Sequence, residues 1–261
     1  MEIKFIHKVT KGSRFNQIYI PKEAELEFEV GDLVEVKLLQ KKIQLYYSKK
    51  LHKLSEFKEK LIRDIFIFLS EFKEIEQVFV LGSFLTKEID YNDIDILVIS
   101  NKQTEGKIYQ KLIKKFNLKF HIIVVNKEKL KEVLKICPLT RSMLYYFVSN
   151  KPIQEFPKKE FDKNHIKYLL MLPEDVLEVE LEDRIYYISL RRLISIEYFL
   201  KENEMAPDKI DGIIENLIGK QKLEIFKSND ILDSKLLNEI KNIIKTKLNI
   251  VYKLIKNGKK R

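Results

Sequence analysis

Between Leu51 and Val125 the apolar residues switch repeatedly between two periods, and that alternation constrains the fold more than any other feature. Leu51, Leu54, Phe57, Leu61, Ile65, Phe68 and Phe72 recur every three to four residues, the spacing of one helix face. Gln77–Leu81 and Ile94–Ile99 are then short, nearly continuous apolar runs; a second helical pattern spans 105–116, and Phe120–Val125 is a third run. Apolar strands interleaved with amphipathic helices predict a sheet buried under helices, the α/β (α+β) class.

The flanking zones have other patterns. From Lys4 to about Tyr47, short β-rich runs (Gln17–Ile20, Leu33–Leu39, Ile43–Tyr47) are punctuated by Gly12-Ser13, Pro21 and Gly31-Asp32. Glu23–Val30 alternates acid and apolar side chains with period two and is predicted as a strand. Beyond about residue 155 the pattern is helical, over Arg184–Leu200, Asp208–Ile218 and Ser234–Lys256. Glu155–Lys159, beside Pro152 and Pro157, is the candidate linker. The expected domains are therefore 1–48, 49–152 and 153–261, the last a helical domain with a basic C-terminal helix.

Composition excludes several classes. The chain has 261 residues, 45% of them hydrophobic, with only 7 Gly and 6 Pro, so it is neither disordered nor fibrous. Its one cysteine, Cys137, precludes an internal disulfide framework and is expected to be a buried structural thiol. No signal peptide is apparent at the start, and no window approaches the roughly 18 apolar residues of a membrane helix. The expectation is a cytoplasmic protein with no membrane partner. The net charge of +10 is concentrated at the end: Lys241, Lys245, Lys247, Lys253, Lys256, Lys259, Lys260 and Arg261 carry +8, leaving a body at +2. Such a tail attracts phosphate backbones without reading sequence, or simply solvates a helix face.

The chemistry-bearing motif is Leu81-Gly82-Ser83, nine residues, then Asp93-Ile94-Asp95-Ile96. A strand ends at a Gly-Ser turn; glycine permits close approach, and Ser83 can hydrogen-bond a phosphate oxygen near the start of a short helical segment, Phe84–Glu88. Asp93 and Asp95 share one face of the next strand, about 6–7 Å apart. Paired carboxylates repel unless a cation neutralises them. Mg²⁺ does so through oxygen ligands while holding substrate phosphates, and a pair of such ions about 3.5–4 Å apart activates a hydroxyl and stabilises a leaving pyrophosphate.

This arrangement resembles the nucleotidyltransferase superfamily that includes DNA polymerase β and the minimal nucleotidyltransferases. The resemblance covers about residues 55–147. It implies a mixed sheet with helices, an NTP held by Gly82 and Ser83, and Mg²⁺ or Mn²⁺ on Asp93 and Asp95. The family's third carboxylate comes from a later strand, where this chain reads Lys119-Phe120-His121-Ile122. His121 is the catalytic candidate there, as a proton acceptor or a ligand for a softer metal. Lys87 is a candidate phosphate contact where many minimal members carry arginine. Two functions follow. One is a transferase moving a nucleoside monophosphate to a hydroxyl acceptor. The other is a catalytically impaired regulator that binds nucleotide or nucleic acid, such as a transcriptional regulator or a toxin–antitoxin component.

At the N-terminus, Val9-Thr10-Lys11-Gly12, Ile18-Tyr19-Ile20-Pro21-Lys22-Glu23 and Val30-Gly31-Asp32-Leu33-Val34-Glu35-Val36 resemble an AbrB/SpoVT-type swapped-hairpin domain, over roughly residues 5–47. The resemblance implies a homodimer whose hairpins interlock into one β-barrel, and DNA contacts from Lys8, Lys11 and Arg14. Residues 15–36, however, hold one base against six acids, a surface that repels a duplex, so dimerisation is the favoured role over DNA or RNA binding. Arg191-Arg192, Arg141 and Arg184 suit either a nucleotide or RNA groove or ordinary ion pairs.

Overall fold

A computed structural model describes residues 5–37, 42–86, 91–153, 155–179, 181–203, 206–228 and 234–257. The chain divides into two compact units, Met1–Lys42 and Ile43–Arg261.

In the first unit β1 (Thr10–Lys11) and β2 (Asn16–Gln17) pair as a short antiparallel hairpin. The Gly12 N–H donates to the Phe15 carbonyl at 2.9 Å to close its turn. The expected strand over Glu23–Val30 is instead a 3₁₀ helix, Lys22–Glu27, opened by an Ala24 N–H bond to the Pro21 carbonyl at 2.9 Å. Glu, Ala and Leu favour helical backbone and Glu is depleted in strands, so propensity overrides the period-two pattern. Residues 33–37 carry no strand pairing, and 38–41 lie outside the described residues. Within one chain, the regular elements of the described part of this unit are a hairpin and a 3₁₀ helix.

The second unit begins with β3 (Tyr46–Tyr47), α1 (Glu56–Leu69), β4 (Ile75–Leu81), β5 (Ile94–Ser100), α2 (Glu105–Phe116) and β6 (Phe120–Val125). There follow α3 (Lys127–Ile136), α4 (Pro138–Met143) and β7 (Val148–Ser149). The five strands form one sheet in the order β3-β7-β4-β5-β6. Only β5 and β6 run parallel; the other neighbours are antiparallel, giving the mixed sheet the motif implied. Tyr46–Tyr47, expected with the N-terminal strands, pairs here with Val148–Ser149.

Strand alternation divides this sheet into two faces. On one, Val78, Val80, Ile94, Ile96, Val98, Phe120 and Ile122 pack on Ile62, Ile65, Phe66 and Leu69 of α1 and Ile108 and Leu112 of α2. Ser55 starts α1 as its cap, accepting from the Lys58 N–H. On the other, Phe79, Leu81, Leu97 and Ile99 pack on Leu134 of α3, Leu144 and Phe147. Asp95, which pairs with Leu81, and His121, which pairs with Asp95, continue this second face where the apolar residues stop.

The remaining helices are α5 (Lys163–Glu178), α6 (Asp183–Leu200), α7 (Pro207–Ile218), α8 (Lys220–Ser228) and α9 (Ser234–Asn257). They share a separate core centred on α6, ten of whose side chains are buried, as expected of a helix enclosed by others. Cys137, Val133 and Leu139 also pack on this core, so α3 and α4 join the sheet to the helices. Arg141 donates to the Leu134 and Pro157 carbonyls at 2.6 and 2.9 Å, and the Glu160 N–H donates to the Lys135 carbonyl, which fastens the chain around residue 157. Among the described residues no helix is long and apolar enough to cross a membrane.

Candidate active site

The site is built where β4 ends. Gly82 has φ 76° and ψ −161°, a region open essentially to glycine alone. Its turn is held by the Leu85 N–H donating to the Gly82 carbonyl at 3.1 Å and the Thr86 N–H to the Ser83 carbonyl at 2.9 Å. Ser83–Leu85 forms one 3₁₀ turn. Phe84 and Leu85 are fully buried in the sheet core and anchor it, whereas Ser83 is exposed.

Gly82 lies directly against Asp95. A Cβ at residue 82 would collide with Asp95 Oδ2, so glycine is required both by the backbone angle and by the neighbouring carboxylate. Asp93 immediately precedes β5, and its charge acts on Asp95. The fully buried Ile94 and nearly buried Ile96 fix this end of the strand in the core. Burial pushes the Asp95 carboxyl above its ordinary value, a hydrogen bond from His121 opposes the rise, and the charge of Asp93 adds to it; the net shift is upward.

His121 Nδ1 lies 2.8 Å from Asp95 Oδ1. An ionised carboxylate can only accept, so Nδ1 is the donor of this pair and Nε2 is left facing away from Asp95. The histidine therefore stands next to Asp95, where the family resemblance places a third acid. Among the described residues no group of three His, Cys, Asp or Glu side chains is arranged to hold a metal ion. Asp93 and Asp95 suit one divalent cation completed by phosphate and water oxygens. They do not supply the three-acid set of a two-cation site.

Gly82, Ser83, Asp93, Asp95 and His121 thus come together at one end of the sheet. Lys87 lies outside the described residues. Lys8, Lys11 and Arg14 are all exposed in the first unit, Lys11 on β1 and Arg14 in the hairpin turn. Arg191 pairs with Asp211 at 3.6 Å, and Arg192 donates to the Leu169 carbonyl at 3.2 Å. A recess of about 420 Å³ is lined by Lys167, Tyr168, Met171, Glu174 and Tyr252 on α5 and α9, none of them a residue of the glycine–serine turn.

Lys58 of α1 is a supporting residue that the sequence did not flag. Its ammonium donates to the Thr86 carbonyl at 2.8 Å and lies 5.4 Å from the centre of the Phe84 ring and 5.9 Å from that of Tyr91, clamping the segment after Gly82-Ser83. It is 28 residues from Thr86, and no local pattern links the two.

No curated protein and no solved structure matches the chain. A family model, nucleotidyltransferase domain, matches residues 60–238, which takes in most of α1, the glycine–serine turn, both acids, His121 and the start of α9. The chain belongs to the nucleotidyltransferase domain family.

Proposed function

We propose that this protein transfers a nucleoside monophosphate from an NTP, such as ATP, to a hydroxyl acceptor, with Mg²⁺ or Mn²⁺ as the metal. The observation that carries this reading is the packing of Gly82 against the carboxylate of Asp95, beside Asp93, inside the matched family span. The backbone at Gly82-Ser83 and the Ser83 hydroxyl would hold the triphosphate. Asp93 and Asp95 would hold the cation, which when bound neutralises charge on the phosphates. The acceptor oxygen attacks the α-phosphorus, the bond from that phosphorus to the bridging oxygen breaks, and pyrophosphate leaves with the bond electrons. His121 Nε2 would take the hydroxyl proton, its ring oriented by the Nδ1 bond to Asp95.

Incubation with each radiolabelled NTP and Mg²⁺ or Mn²⁺ tests this. Label transfer or pyrophosphate release by the wild type should fall at least about a hundredfold in Asp93→Ala, Asp95→Ala and Gly82→Ala, a loss of the size expected when a charge-stabilising group is removed. Nucleotide binding without transfer under any condition would instead support the non-catalytic regulator, which the histidine in the third acid's place favours. For the first unit the reading is homodimerisation rather than DNA binding, supported by its exposed apolar side chains and by Glu23, Glu27, Glu29 and Asp32 beside them.

A further inference from the structure

The strand beside the two acids opens with Lys119 and His121, at the register positions of Asp93 and Asp95. Ile94 pairs with Phe120 and Asp95 with His121 across the parallel β5–β6 ladder. The Ile94 N–H donates to the Lys119 carbonyl at 3.0 Å, which sets Lys119 at the register position of Asp93. Ile94 and Phe120 both enter the α1–α2 core. Alternation therefore places Asp93, Asp95, Lys119 and His121 on the opposite face. His121 is engaged by Asp95. Lys119 is exposed, and its ammonium meets no ion-pair or hydrogen-bond partner among the described residues.

We propose that Lys119 is a phosphate-binding residue of this site, so that the β6 edge contributes positive charge to the triphosphate where a third carboxylate would contribute negative charge. The proposal rests on the nucleotidyl-transfer reading and deepens it. A three-acid rim needs cations before it can accept a polyanion. Here an ammonium not spent on an ion pair would take over part of the neutralisation of the phosphates themselves. An ammonium at this edge is a point charge that suits phosphate oxygens from several directions. The consequence is a component of nucleotide affinity that does not depend on divalent metal.

Isothermal titration of the full chain with ATP, GTP, CTP and UTP, in Mg²⁺ and separately in EDTA, reads that component. Wild type should bind its preferred nucleotide in Mg²⁺ and still bind it, more weakly, in EDTA. Lys119→Gln should weaken binding about tenfold or more in both buffers, the scale of losing one charged hydrogen bond, and Lys119→Arg should restore most of it. Binding in Mg²⁺ that disappears entirely in EDTA, or a Lys119→Gln protein with wild-type affinity, overturns the proposal while leaving nucleotidyl transfer standing. Absence of binding to every NTP even in Mg²⁺ removes the transfer reading, and this proposal with it.

Discussion

A carboxylate inside a helical bundle is tolerable only where cations reach it. Glu197 of α6 has a side chain only 6% exposed, and it accepts hydrogen bonds from Lys201 at 2.6 Å and from Lys247 of α9 at 2.8 Å. Burial alone would push its carboxyl up; the two lysines outweigh that and hold it below the ordinary carboxylate value. A folded pKa below the unfolded one contributes stability at neutral pH, and that contribution fades as pH falls through about 4.3 toward the folded value. Glu197→Gln should therefore cost about 3 kcal/mol at pH 7, because it leaves the largely covered Lys247 without its carboxylate, and less at pH 3.5. Urea denaturation followed by circular dichroism at both pH values checks this; an unchanged gap would show that the charge is not what stabilises the contact. At Gly82 the same locality operates through sterics, since the carboxylate of Asp95 occupies the space a side chain would need.

Elements differed in how visible they were. β5, α2 and β6 stand within a residue of the limits that periodicity predicts, because long apolar runs leave one solution. β7 and β3 have two residues each, too few for any period, and their pairing depends on residues about a hundred positions apart. His121 was visible as a departure from a motif; its bond to Asp95 required the parallel register of β5 and β6. α5 was hidden by Pro173 in its interior, which reads as a stop signal. The structure shows how that proline is accommodated. Residue 173 has no N–H for the Leu169 carbonyl, and Arg192 of α6 donates to that carbonyl instead, at 3.2 Å. An arginine that could have lined a groove is thus a helix-to-helix substitute for a missing backbone bond. Arg192→Met should destabilise by about 1–3 kcal/mol, the cost of an orphaned buried carbonyl. In Arg192→Met/Pro173→Ala the restored N–H should recover at least about 1 kcal/mol of that. A double-mutant cycle in urea reads the coupling, and additivity within about 0.5 kcal/mol would refute the assignment.

At the scale of the whole molecule the two units differ in how completely they cover their own apolar residues. In Ile43–Arg261 three clusters absorb most of the large apolar side chains of the sheet and its helices, though Phe57, Tyr168 and Met171 among others stay exposed. Met1–Lys42 leaves Phe15 78%, Val30 110% and Leu33 102% exposed, with Ile6, Val9, Tyr19, Val34 and Val36 also open to solvent. A segment of this length cannot enclose a core by itself, and soluble monomers seldom present so many apolar side chains together. A second copy is the occupant that fits, because hairpins of identical chains can interlock and bury the same residues from both sides. A nucleic acid fits poorly, since six acids crowd residues 15–36 against one base. Light scattering on the eluting peak of a sizing column should therefore give twice the 31.2 kDa chain mass at micromolar concentration. Phe15→Ser/Leu33→Ser should return the peak to the single-chain mass without changing the melting of the larger unit, whose clusters contain neither residue. A wild-type protein that elutes at 31.2 kDa at tens of micromolar would mean that these side chains remain in water, and that the first unit does not join two copies of the chain.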